Sequence, residues 1–395
     1  LLDGYIAPVS GHSRGATLDL TLLQCDATGA DCRALDMGTD FDFFGTRANT
    51  DSPDATRAQR ANRHLLRDAM AEHGFHNYPM EWWHFTFRPE PTPGTLYDVP
   101  VTYPGESMPH AEIDRLMQAY EGDVPGASLL VLRDGEAVVR RGFGRSDLEQ
   151  GIEAGPGTNY RLASVSKQFT AAAILLLAQD GELTIDDPVR KWLPSLPREA
   201  DAITLRHLLT HASGLVDYED LMAAQYDGQI LDAGVLALLK QERRLYFAPG
   251  SAYRYSNSGY ALLALVVERA SGLAYPEFLR TRIFQPLGMH HSLAYVAGGA
   301  DVPHRAWGYS DVAGAWQRTD QSSTSAVLGD GGIYSSIDDL ARWDAALYDA
   351  RLLSDASRAL AFAPHVEVPG ASPATHYGFG WRISGDKLWY SGETI

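Results

Sequence analysis

The stretch Tyr160-Arg161-Leu162-Ala163-Ser164-Val165-Ser166-Lys167, followed by the apolar run Ala171 to Leu177, constrains this chain more than any other. The run is closed by Asp180-Gly181, so the pattern predicts a buried helix with a glycine stop. Ser164 is expected at its first turn, with Lys167 three residues on and therefore on the same face. A serine hydroxyl is a weak nucleophile and needs a base within hydrogen-bond reach. A lysine can be that base only where burial and neighbouring positive charge lower its pKa. A helix start also offers free N–H groups and positive dipole, which makes the Ser164 N–H a candidate oxyanion donor.

Two later stretches give this pair its context. Tyr255-Ser256-Asn257 lies between Pro249-Gly250 and Ser258-Gly259, and Tyr390-Ser391-Gly392 lies on the last predicted strand. In this order the three stretches resemble the serine β-lactamase and penicillin-binding D,D-peptidase superfamily, in its class C and esterase-like branch. That branch carries S-x-x-K, then Y-x-N, then a K/H-[ST]-G triplet. The resemblance runs from about residue 110 to the end and takes in Leu208 to Leu215 and Gly331 to Ser335. It implies an α+β fold, an antiparallel sheet flanked by helices with an inserted helical region. Local pattern agrees. Strands are predicted at 127–133 and 137–143 around Asp134-Gly135, and at 376–384 and 387–391. Helices are predicted at about 111–120, 204–210, 231–243, 258–270, 275–284 and 337–349.

The resemblance implies roles. Ser164 is the nucleophile and Lys167 a base. Tyr255 is a second ionisable group, able to take a proton and return it to the leaving group. Asn257 holds the lysine amine or a substrate amide, while Ser256 faces away. Ser391 and Gly392 form an edge beside the acyl group, glycine permitting close backbone approach, and the Glu393 N–H is the second oxyanion donor. Tyr390 departs from the family, which has lysine or histidine there to bind a substrate carboxylate. A tyrosine offers only a neutral hydrogen bond, which favours an esterase or a D-amino-acid peptidase over a β-lactamase. His211 reads as a helix-end histidine bonding the last carbonyls. Gly329, Gly331 and Gly332 read as a tight turn near the pocket.

The first part of the chain carries different chemistry. Ser10-Gly11-His12 leads to Asp19, and Glu81-Trp82-Trp83-His84 adds a glutamate and a second histidine. Zinc takes imidazole and carboxylate ligands, and a catalytic site keeps three of them. His12, Asp19 and His84 supply that set, leaving Glu81 to take a proton from a water activated there. The two motifs, S-x-H-x-x-G-x-x-x-D and E-x-W-H, resemble the zinc D-alanyl-D-alanine dipeptidases of the vancomycin-resistance type, and Met37 to Phe44 also matches that family. The family places its S-x-H motif near mid-domain, so the resemblance implies a partial α+β zinc-peptidase domain, with a substrate-orienting arginine in the half not present. The plainer alternative is a loop histidine, a turn aspartate and core tryptophans.

These readings divide the chain into a dipeptidase-like part at 1–88, a Pro-rich linker at 89–108 and a serine-hydrolase part at 109–395. The first residue is Leu1 and no leader is visible, so a fragment or processed product is expected, truncated also at the C-terminus. A net charge of −17 argues against nucleic acid and anionic membrane surfaces. No apolar run approaches the roughly 20 residues of a membrane span. Cys25 and Cys32 suit either a hairpin disulfide or two unpaired thiols. The expected function is a bifunctional hydrolase of D-Ala-D-Ala or peptidoglycan-related chemistry, zinc-dependent in its first part, acting on peptides, β-lactams or esters in a periplasmic or secreted setting. The alternatives are a non-catalytic penicillin- or peptidoglycan-binding module and a short-chain esterase of the same fold.

Overall fold

The computed structural model describes residue 12 and residues 16–25, 32–41, 43, 45–91, 110–223, 226–371 and 373–393. The chain forms two compact units, Leu1–Gly105 and Glu106–Ile395. The predicted linker lies mostly outside the described residues, as do Ser10, Asp42 and Phe44.

In the first unit, Thr17–Asp19, His84–Phe87 and Phe75–Asn77 form an antiparallel sheet with His84–Phe87 in the centre. The helix Arg57–Glu72 packs against Phe75–Asn77. Its start is a reciprocal cap: Thr56 Oγ1 accepts from Gln59 N, and Gln59 Oε1 accepts from Thr56 N. Trp82, Trp83, Phe85, Leu66 and Met37 make the core. Arg63 is fully buried among them and donates to the carbonyls of Met37 and Asn49. Cys25 and Cys32 face each other across the hairpin Leu23–Cys25/Cys32–Ala34 and are joined as a disulfide.

The second unit is built on the helix Lys167–Gln179, whose residues Lys167 to Leu177 are all buried. It packs on the helix Asn257–Ser271, itself buried from Ser258 to Ala264. Ala, Leu, Ile and Val cover every face of the buried turns, and the helices are exposed only near their C-terminal ends, at Gln179 and Arg269. The strands Val366–Glu367, His376–Tyr377, Arg382–Ser384 and Lys387–Trp389 form an antiparallel sheet in chain order. The hairpin Ala127–Arg133/Glu136–Phe143 turns at Asp134 and Gly135, both with positive φ. Asp134-Gly135 is the dipeptide such a turn needs. The helices expected near 204–210, 231–243, 258–270 and 337–349 form at Leu205–Leu209, Asp232–Leu239, Asn257–Ser271 and Ile337–Ala346.

Three local expectations change. The strand expected over 376–384 is two, His376–Tyr377 and Arg382–Ser384, which pair with each other. Ser164 lies in a 3₁₀ turn, Ala163–Ser166, and the α-helix proper begins at Lys167. The last strand ends at Trp389, so Tyr390 to Glu393 lie beyond the ladder.

Candidate active site

The turn Ala163–Ser166 positions the serine. Tyr160–Arg161 pairs with Ile333–Ser335, and the Ser166 hydroxyl accepts from Ile333 N at 3.1 Å. Ala163 has φ of 46°, a left-handed conformation that a Cβ disfavours. The strain sits on the residue before the serine.

Lys167 is 0% exposed. Its Nζ donates to Ser164 Oγ at 3.1 Å, to Asn257 Oδ1 at 2.8 Å and to the Asp330 carbonyl at 2.8 Å. An ammonium has three donors, and all three are used on neutral acceptors. Tyr255 donates its hydroxyl to Ser164 Oγ at 2.7 Å, and the Lys167 Nζ lies 4.9 Å from its ring centre. Asn257 is fixed in turn: its N–H donates to Asp217 Oδ2 at 2.7 Å and its amide to Glu219 Oε1 at 2.9 Å. Ser256 caps the helix by accepting from Gly259 N and does not face the serine.

The tail closes the other side. A Cβ on Gly392 would stand 2.2 Å from Leu162 O and 3.1 Å from Ser164 N, so only glycine lets the backbone approach the serine amide this closely. Ser391, Gly392 and Glu393 are exposed. Tyr390 turns its hydroxyl to the Tyr377 hydroxyl at 2.7 Å, and burial raises its phenol well above the usual 10. A cavity of about 390 Å³ opens over Ser164, lined also by Arg161, Glu219, Asn257, Asp330 and Glu393.

In the first unit, Asp19 and His84 are register partners across two strands. His84 Nδ1 lies 3.1 Å from Asp19 Oδ1 and 3.4 Å from Glu81 Oε2, and His12 Nε2 lies 3.4 Å from Asp19 Oδ2. Ligand atoms of His12, Asp19 and His84 lie within 4.8 Å of one another. Two imidazoles and a carboxylate at that separation fit a zinc ion.

Residues 111–394 match the Beta-lactamase family. The chain belongs to that family. Residues 5–102 match the D-ala-D-ala dipeptidase family. Penicillin-binding protein 4* of Bacillus subtilis (strain 168) is 34% identical over 270 residues, 65% of this chain and 59% of the relative. A D-aminopeptidase of Gluconobacter oxydans (strain 621H) is 31% identical over 262 residues, 65% of this chain and 48% of the relative. The chain thus matches about three fifths of the one and about half of the other. The octameric penicillin-binding protein homologue from Pyrococcus abyssi superposes with a TM-score of 0.61 at 28% identity, over 69% of this chain and 64% of that one. D-amino acid amidase from Ochrobactrum anthropi SV3 gives 0.60 at 27%, over 71% and 85%.

For a beta-lactamase-family site, four further residues matter that the motifs did not reveal. The turn Leu328–Gly331 delivers the Asp330 carbonyl to Lys167. Buried Asp232 holds that turn by accepting from Leu328 N and Gly329 N at 2.9 and 3.1 Å, and Thr170 donates to Gly329 O at 2.7 Å. Burial raises Asp232 to about 6 and Asp330 to about 7. His211 is the fourth, and it departs from the sequence expectation. Its ring does not bond helix carbonyls; it is buried, and Nδ1 accepts from Ser256 N at 3.1 Å. The glycines at 329, 331 and 332 do lie in a turn beside the cavity.

Proposed function

We propose that the second unit is a serine hydrolase working through an acyl-enzyme on D-amino-acid amides, peptides or esters. The observation that carries this is the convergence of Lys167 Nζ and the Tyr255 hydroxyl on Ser164 Oγ, at 3.1 and 2.7 Å. The reacting form carries Tyr255 as phenolate, held by the neighbouring ammonium, so that the 2.7 Å bond runs from Ser164 Oγ–H to the phenolate oxygen; as Oγ bonds the acyl carbon, its proton passes to that oxygen and Tyr255 becomes the neutral phenol. The carbonyl oxygen takes up negative charge against the N–H groups of Ser164 and Glu393. The carbon–nitrogen or carbon–oxygen bond of the substrate then breaks, and Tyr255 returns the proton to the leaving group. Water repeats the sequence in reverse roles and frees the acid.

Tyr390 bears on the substrate. A neutral phenol committed to Tyr377 offers no cation for a C-terminal carboxylate. This supports amides and esters over D,D-carboxypeptidase or β-lactam substrates, in keeping with the D-aminopeptidase among the relatives. We assign the first unit a zinc site at His12, Asp19 and His84, by the donor set and its 4.8 Å spread. Bound there, zinc supplies Lewis-acid chemistry to peptide hydrolysis. Glu81, beside His84, is the proton carrier. A periplasmic or secreted setting and a peptidoglycan-derived substrate are consistent with both halves. Among the described residues, no helix is long and apolar enough to cross a membrane.

A fluorophosphonate probe should label the wild type covalently and leave Ser164→Ala unlabelled. Turnover is then compared on D-alanine p-nitroanilide, p-nitrophenyl butyrate and a D-Ala-D-Ala peptide. Equal labelling of both proteins removes Ser164 from the chemistry. Labelling without turnover of any of the three identifies a binding module instead.

A further inference from the structure

Tyr255 owes its position to a residue from another part of the chain. The carbonyl of His211 accepts the N–H of Arg254 at 3.0 Å, and the Nδ1 of the same histidine accepts the N–H of Ser256 at 3.1 Å. The two residues flanking Tyr255 are therefore tied to one point. The imidazole also lies against the Tyr255 ring, with centroids 4.5 Å apart at 38°. Its opposite contacts are Tyr377 at 4.5 Å and Tyr260 at 5.2 Å, with Tyr253 edge-on at 5.8 Å. Tyr377 in turn carries the hydrogen bond to Tyr390. His211 thus touches the second stretch of the site directly and reaches the third only through Tyr377.

Three features mark this as more than packing. His211 holds φ of 59°, a conformation that costs a residue with a side chain. With Nδ1 accepting, the neutral ring carries its proton on Nε2, and that buried atom has no hydrogen-bond partner among the described residues. An unsatisfied buried donor is a standing cost in the folded state. Burial first, then Lys167 and Arg382, lower the imidazole well below its usual 6.5, which keeps Nδ1 free to accept. The titratable and charged groups facing it are Lys167, Arg382 and the four tyrosines 253, 255, 260 and 377.

We propose that His211 is a positioning residue that brackets Tyr255 and sets its hydroxyl on Ser164. This rests on the serine-hydrolase reading above. The expectation is read as the second-order rate of fluorophosphonate labelling of Ser164, which does not depend on the natural substrate. His211→Phe keeps a ring but removes the acceptor, and labelling should slow by about tenfold or more. His211→Asn keeps an oxygen near the Nδ1 position and tolerates positive φ, and should recover most of that loss. The decisive measurement is the pair with Tyr255→Phe. If His211 acts through the phenol, His211→Phe slows the Tyr255→Phe protein no further. A merely structural role predicts the same slowing in both backgrounds, and that result overturns the proposal, as does an unchanged rate in His211→Phe. Should the phenylalanine variant fail to fold by circular dichroism, His211→Gln, whose amide reaches the Nε2 rather than the Nδ1 position, carries the same cycle. A wild type that does not label at all removes the Ser164 reading and this one with it. A labelled wild type indifferent to position 211 removes only this one.

Discussion

Asp330 offers a test in which electrostatics alone decides the outcome. Its carboxyl is buried beside the Tyr218 hydroxyl, 3.2 Å away, and burial raises it to about 7 from an ordinary 3.8. In the unfolded chain it ionises near that ordinary value. A folded-state pKa above the unfolded one contributes stability that is fully present below 3.8 and is lost as pH rises through about 7. The whole shift corresponds to on the order of 4 kcal/mol. Between about pH 8 and about pH 5 the folded state recovers about 2.5 kcal/mol of it, because the buried group takes a proton that the unfolded chain does not. Asp330→Asn removes the charge yet keeps an oxygen for Tyr218, and it leaves untouched the backbone carbonyl that Lys167 uses. Urea denaturation of both proteins across that range gives the comparison. Asp232 and His211 titrate nearby, but they are common to both proteins and largely cancel in the difference. The variant should be the more stable protein at the alkaline end, and its advantage should shrink by about 2.5 kcal/mol at the acid end. A difference that stays constant with pH refutes the reasoning.

Two further outcomes follow from the geometry. Gly392→Ala must push the tail away from Leu162 and Ser164, since its Cβ has no room at 2.2 Å from a carbonyl. Fluorophosphonate labelling should fall by about 100-fold with little change in urea midpoint, and a rate near that of the wild type would exclude the tail from the oxyanion site. In the first unit, the intact chain dialysed against zinc should retain about one ion, measured by atomic absorption, and His84→Ala should lose it. Wild type that retains no zinc would reduce His12, Asp19 and His84 to a hydrogen-bonded cluster.

What the sequence carried was local. Ser164 and Lys167 share a helix mouth, Tyr255 and Asn257 share a helix start, and the apolar runs beyond each predict the two buried helices that cross. His12, Asp19 and His84 were readable as a donor set, although it is strand register that places Asp19 opposite His84. Asp232, Asp330 and His211 were not readable, because their work is done across the fold. Asp232 reaches a turn 96 residues away, and His211 accepts from an N–H 45 residues on. No periodicity encodes such a contact. A histidine after Leu208-Leu209 has an ordinary helix-end explanation, and only tertiary structure turns its ring toward Ser256 instead.

The division of labour between Lys167 and Tyr255 follows from counting donors. An ammonium cannot accept a proton, and here each of its three N–H groups has an acceptor. None of those acceptors is a carboxylate: a hydroxyl, an amide oxygen and a backbone carbonyl hold the nitrogen. A carboxylate in that shell would draw the attraction onto a buried ion pair. Asp330 presents its carbonyl there, and burial holds its own carboxyl protonated in part near neutral pH. The positive charge is therefore left facing Ser164 Oγ at 3.1 Å and the Tyr255 ring at 4.9 Å. With Lys167 itself fully buried, such an unmatched charge acts most strongly on whichever neighbour becomes negative. On the reading proposed above, Tyr255 takes the proton as phenolate and gives it back as phenol, and the lysine is the charge that lets it.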